Sequence, residues 1–136
     1  MIGDNPAWDK FVSDHRWAVL TTLRSTGQPN SSMVAYARDQ DELVISTPGG
    51  TFKTTSIQRD ERVNLCVVSN AEPFNFVSIE AIAKVTQENL VEDTKKVFAN
   101  IADTGYTEPE DLTGWLASQA RVILRLAPQR VYGVIR

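Results

Sequence analysis

One cysteine and one histidine are present in 136 residues, and several chemistries fall with that inventory. Cys66 cannot form an internal disulfide, and a four-ligand zinc site of Cys and His cannot be assembled within one chain. A Ser-His-Asp or Cys-His catalytic pair has only His15 to build on, at the end of an amphipathic helix where a capping role is ordinary. Hydrolase chemistry of that kind therefore ranks last. Cys66 lies in the apolar run Val63 to Val68, which reads as a strand with a buried, inert thiol. Haem handling is also poorly supplied, with one imidazole as axial ligand.

Other scarcities narrow the class further. No apolar run approaches the ~20 residues that a bilayer-crossing helix needs. Met1 to Lys10 has no basic segment followed by an apolar one, so the expectation is a cytoplasmic protein. Seven Gly and six Pro are too few for a low-complexity chain. With 14 basic against 17 acidic residues, the net charge of −3 carries no excess for nucleic acid. The one asymmetry is local. Leu112 to Arg136 holds four arginines and no acid, after seven acids between Glu88 and Asp111. Solvated faces of neighbouring elements account for it.

What is present reads as one domain, with 42% hydrophobic and 23% charged residues. Asn5-Pro6 opens a helix carrying Trp8, Phe11, Val12 and His15 at helical spacing. Strands follow over Trp17–Arg24, Pro29–Arg38 and Glu42–Thr47, with connectors so short that they predict an antiparallel meander. Thr51–Gln58 reads as a short helix, Arg62–Ser69 as a fourth strand. The fifth alternates Val77, Ile79, Ala81, Ala83 and Val85 with polar residues. Asn89 to Glu92 has the pattern of a capping box before a helix with Leu90, Val97, Phe98 and Ile101. A further helix covers Glu108–Gln119. Arg121–Ala127 and Arg130–Ile135 form a sixth strand broken at Pro128. The fold class expected is mainly β with peripheral helices, a six-stranded antiparallel barrel, closed or partly closed.

The densest local pattern is Leu43-Val-Ile-Ser-Thr-Pro-Gly-Gly-Thr-Phe-Lys53, a strand, a Gly-Gly loop and a helix start. Free N–H groups at a helix N-terminus attract anions. Ser46, Thr47 and Thr51 add hydroxyl donors, and Lys53 adds a fixed charge. The pattern is not a Walker loop. It describes either a phosphate cradle or a plain strand-to-helix turn with a cap and an exposed lysine.

These features in this order, with Gln58-Arg-Asp-Glu-Arg-Val63 and Arg130-Val-Tyr-Gly133, resemble the flavin and deazaflavin oxidoreductases of the split β-barrel fold. That is the superfamily of pyridoxamine 5′-phosphate oxidase. The chain is more similar to its actinobacterial branch, which uses coenzyme F420, a reduced 8-hydroxy-5-deazaflavin, than to the FMN oxidases. The resemblance implies hydride transfer from the reduced cofactor to a small unsaturated or conjugated substrate. It places the cofactor phosphate on Ser46, Thr47, Thr51 and Lys53, and the ring along Asn30, Ser31, Ser32, Met33 and Val34. It implies a homodimer whose second subunit contributes Phe76 and Ser78, although Met33 and Phe76 also suit plain packing. No catalytic side chain is indicated, since such a cofactor carries its own hydride. The oxidases show Ser-Arg-Lys where this chain has Thr51-Phe52-Lys53, so FMN is the alternative cofactor and a binding protein without turnover the third reading. Arg24, Arg38 and Arg59 are candidates for the acidic cofactor tail.

Overall fold

A computed structural model describes all 136 residues. The elements are α1 (Pro6–Asp14), β1 (Trp17–Leu23), β2 (Pro29–Ala35), β3 (Ala37–Asp39), β4 (Glu42–Pro48), α2 (Phe52–Arg59), β5 (Arg62–Val68), β6 (Phe76–Thr86), α3 (Leu90–Asn100), α4 (Leu112–Ser118) and β7 (Arg121–Val134). The seven strands form one antiparallel sheet in the order β2-β1-β5-β6-β7-β4-β3. The sheet curls into a half-barrel. No helix is long and apolar enough to cross a membrane.

The seventh strand comes from a division that the sequence hides. The run from Pro29 to Asp39 is not one strand in a meander, because it leaves one edge of the sheet and joins the other. Residues up to Ala35 pair with β1, with Ala35 opposite Trp17. From Ala37 the chain pairs with β4, with Ala37 opposite Val44. Tyr36 is the crossing point and is fully buried. Its hydroxyl donates to the Val12 carbonyl at 2.6 Å, and its own carbonyl accepts from Asn100 Nδ2 at 2.8 Å. Burial pushes the phenol pKa far up, so Tyr36 stays a neutral donor.

β7 is likewise continuous rather than broken at Pro128. The irregularity is a bulge: Glu80 faces Arg130 while Ala81 faces Pro128. One large cluster forms the interior, with Leu20, Leu43, Ile45, Leu65, Ile79, Leu124 and Leu126 from the strands. Phe11 and Val12 of α1 and Ile57 of α2 reach into it. The expected alternation of β6 holds, with Val77, Ile79, Ala81 and Ala83 buried.

Helix starts divide by mechanism. Asn5 caps α1, accepting from the Ala7 and Trp8 N–H groups at 2.9 and 3.4 Å, a contribution of about 1 kcal/mol. Asn89 does not cap α3: its φ of 55° is left-handed and its side chain bonds no N–H. The capping box is therefore absent, and α3 is held instead by its buried face. Asp93, 1% exposed, pairs there with Arg125 of β7. α4 begins only at Leu112, after Asp111 accepts from Gly114 N–H at 3.1 Å.

Candidate functional site

The Gly-Gly loop folds as a tight link between β4 and α2. Gly49 N–H donates to Ala120 O at 2.9 Å, and a Cβ there would meet that oxygen at 2.7 Å, so only glycine fits. Gly50 has a different environment: an added Cβ meets nothing within 4 Å. Thr51 caps α2, but its hydroxyl is spent locally. It accepts from Thr54 N–H at 3.4 Å and donates to Pro48 O at 3.2 Å. Of the predicted phosphate donors, Thr51 is thus a builder of the turn.

Two grooves meet at Lys53. The first, about 390 Å³, is lined by Thr22, Asn30, Ser32, Gly50, Thr51, Phe52 and Lys53. The second, about 360 Å³, follows the seam where β2 and β4 part. These strands are not ladder partners, and β4 pairs with β3 only as far as Val44. Backbone groups of β2 and of Ile45 to Thr47 therefore face the seam without a strand partner. Met33, Val34, Ser46 and Thr47 line it from the sheet, Thr94, Val97 and Phe98 from α3, and Ile101 from just past its end. Trp17, Tyr106, Trp115 and Arg121 complete it. A third groove beside the first holds Arg24 and Arg59 and shares Asn30 and Phe52 with it.

Eight of the eleven residues that the sequence put forward line the two main grooves: Asn30, Ser32, Met33, Val34, Ser46, Thr47, Thr51 and Lys53. Ser31, Phe76 and Ser78 do not. Ser31 points to the outer face, where its hydroxyl bonds Thr21 Oγ1 at 2.8 Å. Ser78 donates to Asn64 Oδ1 at 3.0 Å, and Phe76 meets Tyr132 edge-on at 6.4 Å. Both belong to the outer face of β6, away from the grooves of their own chain. Arg38 is also committed elsewhere, to Asp9 at 2.8 Å and Asp41 at 3.3 Å. Arg24 and Arg59 keep their place near the cradle.

The residue missed by sequence reasoning is Arg121. It donates to Ser46 Oγ at 3.3 Å and to Ser46 O at 3.1 Å, and its guanidinium lies 4.3 Å over the Trp115 ring. Thr94 also donates to Ser46 Oγ at 3.0 Å. Burial lowers the Arg121 pKa. Burial and, after it, the charge of Arg121 lower that of Lys53. Aromatic pairs frame the seam: Phe98 with Trp115 at 5.7 Å, and Trp17 with Tyr106 at 5.8 Å. The only earlier sign of Arg121 was the acid-free run from Leu112.

Neither His15 nor Cys66 enters a groove. His15 caps α1 through Nδ1 and Phe11 O at 2.8 Å and stacks on the Phe11 ring at 3.8 Å. Cys66 is half-buried rather than buried, and burial pushes its thiol pKa up, which keeps it unreactive. No group of three or more His, Cys, Asp or Glu is arranged to hold a metal ion.

Comparison with known proteins gives the same fold. A conserved hypothetical protein from Mycobacterium tuberculosis superposes with a TM-score of 0.78 at 23% identity, over 97% of this chain and 85% of that one. An F420 reductase superposes at 0.76 and 15% identity, over 95% and 98%. A FAD-binding protein from Mesorhizobium loti does so at 0.72 and 16%, over 96% and 93%. At these identities the likeness is one of fold. Residues 5–135 match the family model described as pyridoxamine 5′-phosphate oxidase. Curled sheet, open seam and sequence match agree, and the chain belongs to the pyridoxamine 5′-phosphate oxidase family.

Proposed function

We propose that this protein is a deazaflavin-dependent oxidoreductase acting on a small unsaturated or conjugated substrate. The observation that carries the reading is the position of Lys53, a half-buried cation shared by the helix-start groove and the seam. The residues present fit such a cofactor. Lys53, the α2 N-terminus and the open backbone at Gly50 suit a phosphodiester. Unpaired backbone along β2, with Met33 and Val34, suits the polar edge and face of a flat ring. Arg24 and Arg59 line the adjoining groove and suit an acidic tail. When bound, the reduced deazaflavin supplies the hydride. The chain's own work is to orient, to exclude water through its aromatic wall, and to hold positive charge beside the ring.

A homodimer belongs to the same proposal. The outer faces of β6 and β7 present Phe76, Tyr132 and Val134, with Phe74 and Ile135 exposed beside them. A second copy is the occupant in view, because this apolar face turns Phe76 away from the grooves of its own chain and toward a partner, while the buried Ser78 stays bonded to Asn64. Light scattering should report a dimer; a monomer that binds cofactor tightly would remove this part.

FMN remains the second reading, because Arg121 adds near Lys53 the second cation that the helix start lacks. Titration of deazaflavin and FMN by tryptophan fluorescence, at two salt concentrations, separates the two. Trp17 and Trp115 stand in the seam to report it. The deazaflavin should bind more tightly, with a margin that shrinks as salt screens the tail. FMN binding at least as tightly in both conditions would transfer the proposal to FMN. Substrate-dependent reoxidation separates either from a binding protein.

A further inference from the structure

Arg121 sits in the seam with no carboxylate partner. Three hydrogen bonds, to Ser46 Oγ, Ser46 O and Gln119 Oε1, take three of its N–H groups. A guanidinium has five, so two remain to donate. Its plane is fixed by the Trp115 ring at 4.3 Å, and Trp115 in turn meets Phe98. A flat apolar surface and an uncompensated, half-buried charge thus occupy one wall. A neutral occupant would desolvate that charge further and return nothing for it.

We propose that the seam groove takes a conjugated or aromatic carboxylate, with its flat body along Trp115 and Phe98 and its carboxylate on the free N–H groups of Arg121. The inference rests on the cofactor reading in one respect, that Lys53 serves the cofactor phosphate and leaves Arg121 for the substrate. It concerns recognition, and assigns Arg121 a binding role.

Isothermal titration with trans-cinnamate and its neutral amide tests it, with and without saturating deazaflavin. The wild-type protein should bind cinnamate at least about tenfold more tightly than cinnamamide. Arg121→Gln should weaken cinnamate by about ten- to a hundredfold and leave cinnamamide within about twofold, with Arg121→Lys recovering part of the loss. Its deazaflavin affinity should hold. Equal binding of the two probes by the wild-type protein overturns the proposal, whether or not the variants fold. So does a parallel loss of both probes in Arg121→Gln, which makes Arg121 a packing residue. Loss of deazaflavin rather than of cinnamate overturns it too, in favour of a cofactor contact. If the charge preference holds and neither deazaflavin nor FMN binds, the cofactor reading fails and this one stands.

Discussion

Arg121 and Arg125 lie four residues apart in β7, on the same side of the strand, and live in opposite surroundings. Arg125 meets Asp39 at 2.9 Å and Glu42 at 3.2 Å, and also the buried Asp93 of α3. Lys96 joins the network through Asp39 at 3.0 Å. Every strong charge there is answered from β3, β4 or α3. Arg121 is answered by a serine, a glutamine and an aromatic face. One arginine fastens a helix to the sheet, and the other is left with charge to offer. Charge density along a strand therefore does not separate structure from function; the partners do.

Three measurements test that contrast, in falling order of effect. Arg125→Gln leaves the buried Asp93 with only the longer Lys96 contact at 3.5 Å, which costs about 2 kcal/mol and lowers the thermal midpoint by about 6 °C for a chain of this size. A midpoint within a degree or two of wild type would erase the distinction. Lys53→Met reverses the pattern: cofactor affinity should fall about ten- to a hundredfold while the midpoint holds or rises slightly, since burial already disfavours that charge. Equal affinity for every phosphorylated flavin would dismiss the cradle. The smallest effect is in acid. Arg125 and then Lys96 hold the Asp39 carboxyl below its ordinary value of 3.8. A lowered folded-state pKa means stability that is complete above the carboxylate range and lost as pH falls through the folded value. The gap between wild type and Arg125→Gln should narrow below that range in melts taken from pH 7 downward. A constant gap would take Asp39 out of the network.

Features written in neighbouring residues were legible, and features made by distant contacts were not. The alternation of β6 and the Gly-Gly turn into α2 are local, so periodicity and turn chemistry exposed them. The passage at Tyr36 leaves no mark, because both halves of the run have strand character and the change of partner lies in the sheet. Asn89 shows the limit of motif matching, since a left-handed backbone removes the side chain from the N–H groups that a box would serve. Around the grooves, Lys53 was singled out through its helix start, and it lines both of them. Arg121 was missed because its partner Ser46 lies 75 residues away. Trp17 and Trp115, which composition leaves as surplus bulk, take their meaning from the seam between strands that never pair.

The crossing at Tyr36 bears also on colloidal behaviour. A sheet of seven strands normally ends in two edges, each a template for another chain. Here both ends belong to one continuous segment, and what stays unpaired between them is the groove. Its β2 margin reads Pro29, Asn30, Ser31, Ser32, a proline and three small polar side chains of the kind that discourage strand addition. The unpaired backbone that lines the groove is the same backbone that another chain would need for strand addition, so filling the one would close the other.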